Sequence, residues 1–173
     1  GCGGGSRPTG IRAAETPADD VAEYQPRWRS HTVDSTQYRK VFLAGTIDMG
    51  RSSDWQAALV ARFRDSIGGR WLFFNPRRRE FHASPAEMEY QVAWELAHLE
   101  AADLIVMNLL GDSRSPISLL EMGLYARSGK LFVACSPDYY RYDNVRITCR
   151  RYGVPLYDSL TALLDDLPQQ SDE

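Results

Sequence analysis

The chain alternates short apolar runs with longer amphipathic segments from residue 40 onward, and this alternation restricts its fold more than any other feature. Five apolar runs have the length and composition of buried strands: 41–45, 71–74, 103–110, 130–135 and 154–157. Four segments have helical spacing: 54–66, 87–102, 119–127 and 159–167. Strands joined through helices form right-handed crossovers and a parallel sheet covered on both faces. The sequence therefore predicts an α/β fold of three layers with a five-stranded parallel sheet.

The first 39 residues show neither the strand period nor the helix period. They are rich in Gly, Pro, Asp and Ala, as segments without a packed core are. Two aromatic residues in this stretch, Tyr24 and Trp28, are able to dock on the rest of the chain. Because 173 residues suit one domain better than two, we predict a flexible N-terminal tail over 1–39 and a single domain over 40–173.

The segment 87–102 is predicted to form an amphipathic helix that carries one acid beside its buried side. Its apolar stripe consists of Met88, Val92, Leu96 and Leu99, and Glu95 lies on the shoulder of that stripe. A shielded carboxyl group has a raised pKa, which is the property a general acid needs. The alternative interpretation is an ordinary residue at the boundary of a helix.

A second acid, Glu121, follows a loop and enters the start of an apolar helix. An unpaired buried charge is costly, so this glutamate is expected to have either a structural partner or a chemical role. The structural alternative is a capping box, in which Glu121 accepts from the backbone N–H of Ser118. The two interpretations are compatible, because a helix N-terminus also stabilises an ionised carboxylate. Two carboxyl groups in one pocket are the minimum for cleaving a glycosidic bond with retention.

The loop after the first predicted strand, 45–52, has the spacing of a phosphate-binding Walker A loop. Arg51 stands where that motif requires Lys, and Asp48 would repel a phosphate. The third strand ends without an Asp for a magnesium ion, so an NTPase is disfavoured. The loop is still expected to line a site, because parallel sheets bind ligands at the carboxyl ends of their strands, and its glycines suit the close approach of a sugar or base.

Composition excludes several classes of partner. The net charge of −3 gives no field that would favour nucleic acid or an anionic membrane. The longest apolar run, 104–110, is far too short to span a bilayer. The run Arg77–Arg79 is interpreted as a solvated loop or as a clamp over an anionic or aromatic ligand.

Cysteine and histidine patterns indicate no metal site. The three cysteines, Cys2, Cys135 and Cys149, lack metal-ligand spacing and cannot all pair, which favours a reducing, cytoplasmic setting. His82 and His98 have no spacing that suggests a metal centre or a catalytic triad. We therefore predict neither a metal nor an organic cofactor.

Taken in order, several segments resemble the nucleoside 2-deoxyribosyltransferase-like family. The segments that carry this resemblance are Val41–Gly50, Trp55–Gln56, Phe74–Arg78, Gln91–Leu96, Ala102–Met107 and Ser115–Leu124. The resemblance runs from about residue 40 to the C-terminus and implies a flavodoxin-like (Rossmann-like) fold. It also implies a nucleoside or nucleotide as the small-molecule partner and a homodimer or higher homo-oligomer.

The resemblance assigns roles to both acids. Glu121 corresponds to the nucleophile that attacks the anomeric carbon, and Glu95 to an acid that orients the sugar and handles protons, although the transferases usually carry Asp there. Phe42 stands where the transferases have a Tyr that orients the nucleophile. Asp48 stands where relatives that hydrolyse nucleoside monophosphates have Arg, and Ser115 where transferases have an Asp that reads the base.

The predicted reaction is cleavage or transfer of an N-glycosidic bond by a retaining mechanism. The predicted substrate-binding residues are Phe42, Gly45, Thr46, Asp48, Asn75, Arg77, Trp94, Ser115 and Ser118. A flat base is expected to stack on Phe42, Trp71 or Trp94. The alternatives are a non-catalytic nucleoside- or nucleotide-binding module and a hydrolase of nucleoside monophosphates or NAD.

Overall fold

A computed structural model describes residues 20–48 and 51–170, with the backbone alone for 168–170. The strands within these residues are β1 (Val21–Gln25), β2 (Trp28–Arg29), β3 (Arg39–Gly45), β4 (Trp71–Phe74), β5 (Leu104–Leu109), β6 (Leu131–Cys135) and β7 (Leu156–Tyr157). The helices are α1 (Trp55–Ser66), α2 (Pro85–Ala101), α3 (Pro116–Tyr125), α4 (Tyr142–Tyr152) and α5 (Leu160–Gln170). The predicted α/β class is confirmed.

The strands form one sheet in the order β2-β1-β4-β3-β5-β6-β7, in which only the β1–β2 pair is antiparallel. Helices α2, α3 and α4 pack on one face, through Trp94, Met122 and Val145 among others. Helices α1 and α5 pack on the opposite face, through Phe63 and Leu163. This arrangement confirms the three-layer, flavodoxin-like fold.

The sheet has seven strands in the described residues, and the two extra strands lie in the predicted tail. Val21, Ala22 and Tyr24 of β1 are buried, and β1 pairs in parallel with β4, with Tyr24 opposite Phe74. The tail prediction is therefore wrong for residues 20–39, and the five-strand prediction is wrong with it. A five-residue strand that contains Glu and Gln gave too weak an apolar signal beside a Gly- and Pro-rich stretch. Residues 1–19 of the predicted tail lie outside the described residues.

Helix α4 was not predicted from the sequence. Eleven residues form it, and five of them are Asp or Arg or Asn, so its apolar stripe is narrow. Only Val145 and Cys149, one turn apart, are buried. Gly153 ends the helix in the left-handed conformation, with a φ of 68°, as glycines do after helix C-termini.

Helix α2 is rotated relative to the predicted stripe. Leu99 is buried as expected, but Met88, Val92 and Leu96 are 47–50% exposed, so that part of the prediction is wrong. Trp94 sets the rotation: its ring is buried against Phe42, at 6.2 Å between centroids. A large aromatic ring gains more from burial than the aliphatic side chains do. As a result, Glu95 lies closer to the buried side of α2 than the sequence predicted.

Candidate active site

The candidate site lies where the loops after β3 and β5 diverge. These strands are neighbours in the sheet, but α1 follows β3 on one face and α3 follows β5 on the other. Two loops that leave in opposite directions open a crevice at the carboxyl edge, which is where ligands bind in sheets of this kind. The predicted residues Gly45, Thr46 and Ser115 all lie at this edge.

Gly45 allows the two central strands to approach each other. Its φ is +119°, and a Cβ atom at this position would lie 2.1 Å from the carbonyl oxygen of Asn108. Only glycine is compatible with both conditions. The structure therefore explains Gly45 by close packing between β3 and β5.

Three buried hydroxyl groups join the loops after β3 and β5. The Thr46 Oγ1 atom lies 2.8 Å from Ser113 Oγ and 2.9 Å from Ser115 Oγ, and the two serine oxygens are 3.0 Å apart. The backbone N–H of Leu110 donates to Thr46 Oγ1 at 3.0 Å. The cluster holds Ser115 in the left-handed conformation, with a φ of 47°, directly before α3. Ser113 was missed, because a short polar loop gives no periodic or motif signal.

Helix α3 begins at Pro116, so Glu121 is its sixth residue rather than part of its cap. The capping-box interpretation of Ser118 and Glu121 is therefore wrong. Ser115 precedes the helix without a side-chain capping bond, and Pro116 occupies the first turn, where its missing N–H costs nothing. Glu121 is 7% exposed and Ser118 is 4% exposed. Among the described residues, no donor or cation is paired with the Glu121 carboxyl group.

The two acids influence each other electrostatically. Burial, and to a smaller extent the nearby charge of Glu95, raise the pKa of Glu121 to about 8. Burial also raises the pKa of Glu95 to about 7, against a hydrogen bond from Gln91 that lowers it. This electrostatic effect indicates that Glu95 on α2 and Glu121 on α3 lie near each other. Such a pair retains a proton near neutral pH, because two ionised groups would repel each other without solvent to screen them.

The predicted aromatic platform is part of the core instead. Phe42 has no exposed surface, and Trp94 is 9% exposed and stacks on His98 at 3.9 Å. Trp71 lies in the core layer on the other face of the sheet, 4.9 Å from the ring of Phe63. The stacking prediction is therefore wrong for Phe42 and Trp71, and Trp94 offers little free area. These rings support the acid-bearing helix and the sheet.

Asn75 connects the loop after β4 to the unexpected strand β1. Its Nδ2 donates to the Glu23 carboxylate at 2.8 Å, and its backbone N–H donates to the Tyr24 carbonyl at 2.8 Å. Its Oδ1 accepts from the backbone N–H of Arg77 at 3.0 Å. These three hydrogen bonds all join Asn75 to other residues of the protein, so they indicate a structural role for Asn75 at the rim of the site.

The arginine run after β4 is anchored to the protein. Arg77 donates to the backbone carbonyls of Ser52, at 2.7 Å, and Ser53, at 2.9 Å, and thereby braces the loop after β3. Arg78 pairs with Glu87 at 2.6 Å, and the Arg79 guanidinium stacks 3.8 Å above the Trp28 ring. The solvated-loop interpretation is therefore wrong. Asp48, in the loop that Arg77 braces, is exposed and has a φ of 51°; residues 49–50 lie outside the described residues.

The described residues also form two grooves. One groove of about 450 Å³ is lined by Arg39, Arg70 and Trp71, and another of about 320 Å³ lies between α3 and α4, beside Met122 and Val145. Neither is lined by Glu95 or Glu121. Within the described ranges, no group of three or more His, Cys, Asp or Glu side chains is arranged to hold a metal ion. The candidate site is therefore defined by the two interacting acids, Glu95 and Glu121.

The described residues form a flavodoxin-like α/β domain in which two shielded carboxyl groups, those of Glu95 and Glu121, influence each other. The model of the nucleoside 2-deoxyribosyltransferase-like family matches residues 38–139, a segment that contains both acids, and the chain belongs to this family. Membership indicates glycosyl transfer on nucleosides. No match was found among curated proteins. In the described part of the chain, every helix is too short or too polar to cross a membrane.

Proposed function

We propose that this protein cleaves or transfers the N-glycosidic bond of a nucleoside-like substrate with net retention. The observation that carries the proposal is the convergence of Glu95 and Glu121, two shielded acids whose charges act on each other at the carboxyl edge of the sheet. Retaining cleavage requires two carboxyl groups, and in direct double displacement they lie about 5–5.5 Å apart.

In the first step, a carboxylate oxygen of Glu121 attacks the anomeric carbon. A C–O bond forms, the C–N bond to the base breaks, and the protonated Glu95 donates its proton to the departing base. Burial raises the pKa of each acid and keeps a proton on the pair near neutrality, and the first step requires this proton to lie on Glu95. The positive charge that develops on the sugar stabilises ionised Glu121, which leaves the proton on Glu95.

In the second step, water or another base attacks the same carbon from the face that the first base left. Glu95, now ionised, accepts the proton of the attacking group, and the ester to Glu121 breaks. Neither step requires a metal or an organic cofactor. A cytoplasmic location stays a prediction from the cysteine pattern.

The position of Asp48 favours a nucleoside over its 5′-monophosphate. This carboxylate lies in the loop after β3, and a carboxylate beside a phosphate costs on the order of 1–4 kcal/mol at surface-like dielectric. Incubation with nucleosides, 5′-monophosphates and NAD, with detection of free base, should therefore show a preference for nucleosides of more than tenfold. Asp48→Arg should narrow or reverse this preference, and the gain should fade as salt is added.

Asp65→Arg supplies the matched control, because it makes the same charge change at an exposed position on α1. It should leave the preference unchanged. A wild-type protein that prefers the monophosphate would contradict the assignment of Asp48 and make the monophosphate hydrolases the closer comparison. Release of nicotinamide from NAD alone would indicate the NAD hydrolase instead.

A non-catalytic binding module is the second candidate, and one observation favours it. The buried Phe42 lacks the hydroxyl group with which transferases of this family orient the nucleophile. Binding of nucleosides without release of base from any compound in the panel would support the module and contradict the enzyme.

We also infer that the partner is a second copy of this chain. Neighbouring helices α2 and α3, joined by the bond from Tyr125 to Glu100 at 3.2 Å, expose apolar side chains on the same side of the domain. These side chains are 47–60% exposed: Met88, Val92, Leu96, Ile117, Leu120 and Leu124. They offer on the order of 500 Å² of apolar area, a large patch for a monomer. In α3 the sole charged residue, Glu121, is buried, so an uncharged partner surface fits best, and a second copy provides one.

Light scattering at increasing concentration tests this inference. The wild type should have twice the mass of one chain, and Leu120→Glu should have the mass of one, because an interface core does not accommodate an unpaired charge. Ile147→Glu, at a 51% exposed position on α4, is the control and should stay dimeric. A monomeric wild type would contradict the inference.

A further inference from the structure

The amide of Gln91 occupies an unusual environment one helical turn before Glu95. Its Nε2 donates to the carbonyl oxygen of Pro76 at 3.0 Å, whereas its Oε1 is buried without a hydrogen-bond partner. A buried acceptor without a partner is destabilising and rare in folded proteins. An apolar side chain of the same length would avoid it, so stability alone does not explain a glutamine here.

The contact with Pro76 determines which end of the amide faces Glu95. Pro76 lies between Asn75 and Arg77, and both neighbours are anchored, as described above. A flipped amide would place its oxygen against the Pro76 carbonyl, and two acceptors repel each other. The nitrogen is therefore held near Pro76, and its second N–H is available to the Glu95 carboxyl group, which lies on the same face of α2.

We propose that Gln91 is a positioning residue for Glu95, whose amide N–H orients the Glu95 carboxylate and stabilises its ionised form. The proposal rests on the proposed function, because it concerns the proton that Glu95 donates and takes back. Burial alone would hold that proton too tightly for its transfer to the departing base in the first step. The N–H of Gln91 opposes burial, and the two effects together leave the pKa of Glu95 at about 7.

Other titratable groups near Glu95 could also influence its pKa. Helix α3 presents Glu121, whose pKa the charge of Glu95 raises, and α2 itself carries His98 three residues after Glu95, whose pKa burial lowers. Glu121 is the group coupled to Glu95, so a clean measurement requires its removal.

Carboxyl-carbon NMR in a Glu121→Gln background measures the titration of Glu95 directly, with Glu95→Gln to assign the signal. Gln91→Met should raise the midpoint by about one pH unit, a tenfold change in the protonation equilibrium. The melting temperature of Gln91→Met should be unchanged or higher, because the variant lacks the unpaired Oε1 atom of Gln91. Ala93→Met places the same side chain on an exposed position of α2 and should change neither quantity.

Kinetics of the otherwise wild-type enzyme provide the second measurement. In Gln91→Met the alkaline limb of kcat should move upward, because Glu95 keeps the proton that it donates to the departing base up to a higher pH. The NMR titration needs no turnover, so it separates failure of this inference from failure of the proposed function. An unchanged midpoint overturns the inference. So does the loss of folding in both Gln91→Met and the shorter amide variant Gln91→Asn, since Gln91 would then be structural.

Discussion

Glu121→Gln should lower kcat by at least about 10³-fold while the fold stays intact. The amide matches the carboxylate in size but is a poor nucleophile, so the covalent step is lost. Release of free base from the best substrate measures the effect. In the wild type, a 2-fluoro sugar analogue should trap the intermediate, and mass spectrometry should find the label on Glu121.

Glu89→Gln is the matched control, because Glu89 is exposed on α2. It should retain wild-type kcat. An active Glu121→Gln enzyme, or a label on another residue, would contradict the assignment of the nucleophile. Labelling of Glu95 in particular would exchange the roles of the two acids.

Glu121→Gln should be at least as stable as the wild type above neutral pH. Burial raises the folded-state pKa of Glu121 to about 8, well above its ordinary value. The unfolded chain therefore loses this proton first, and unfolding becomes easier as the pH rises from about 4.5 to about 8. The resulting loss in the wild type is on the order of a few kcal/mol, and Glu121→Gln should lack that part of the pH dependence.

The central strands were predictable because the sheet covers them on both faces. Every residue of β4, β5 and β6 is buried, and their sequences are apolar except at Asn108. Such runs carry their own signal and need no information about their neighbours. The order of strands and helices then restricted the fold to few alternatives.

Edge strands and polar contacts were harder to predict from the sequence, because their stability comes from residues far away in the chain. Strand β1 is buried through contacts with distant residues, including its pairing with β4, which lies about fifty residues later in the chain. The face of α2 depends on where Trp94 packs, and periodicity alone gave Val92 and Leu96 equal weight. Tertiary packing overrode the local pattern in both cases.

Within the site, the acids could be predicted and their supporting residues could not. A carboxylate in an apolar segment is conspicuous in any sequence, as Glu121 is. Gln91 and Ser113 are ordinary polar residues until the structure shows what they contact. Likewise, the resemblance located the acids, but it gave no account of Arg77, which braces the loop after β3.

Removal of residues 20–33 should abolish cooperative folding or lower the melting temperature by more than about 15 °C. The deletion removes β1 and β2 and with them the burial of Val21, Ala22 and Tyr24, worth about 5 kcal/mol in total. It also leaves the backbone of β4 unpaired on one side and Asn75 without its bonds to Glu23 and Tyr24. These losses approach the whole stability of a typical domain.

Thermal unfolding followed by circular dichroism tests this, with a chain that begins at Asp20 as the reference because it keeps every described strand. Tyr24→Ala is the milder variant and should lower the unfolding free energy by about 3 kcal/mol, since its ring packs 6.1 Å from that of Phe74. Tyr140→Ala, at a 53% exposed position, should have little effect. An unchanged melting temperature after the deletion would show that the domain begins near residue 40. The loop that contains Asn75 and Arg77 would then keep its structure without β1. The site would depend only on residues 38–139, the segment that the family model matches.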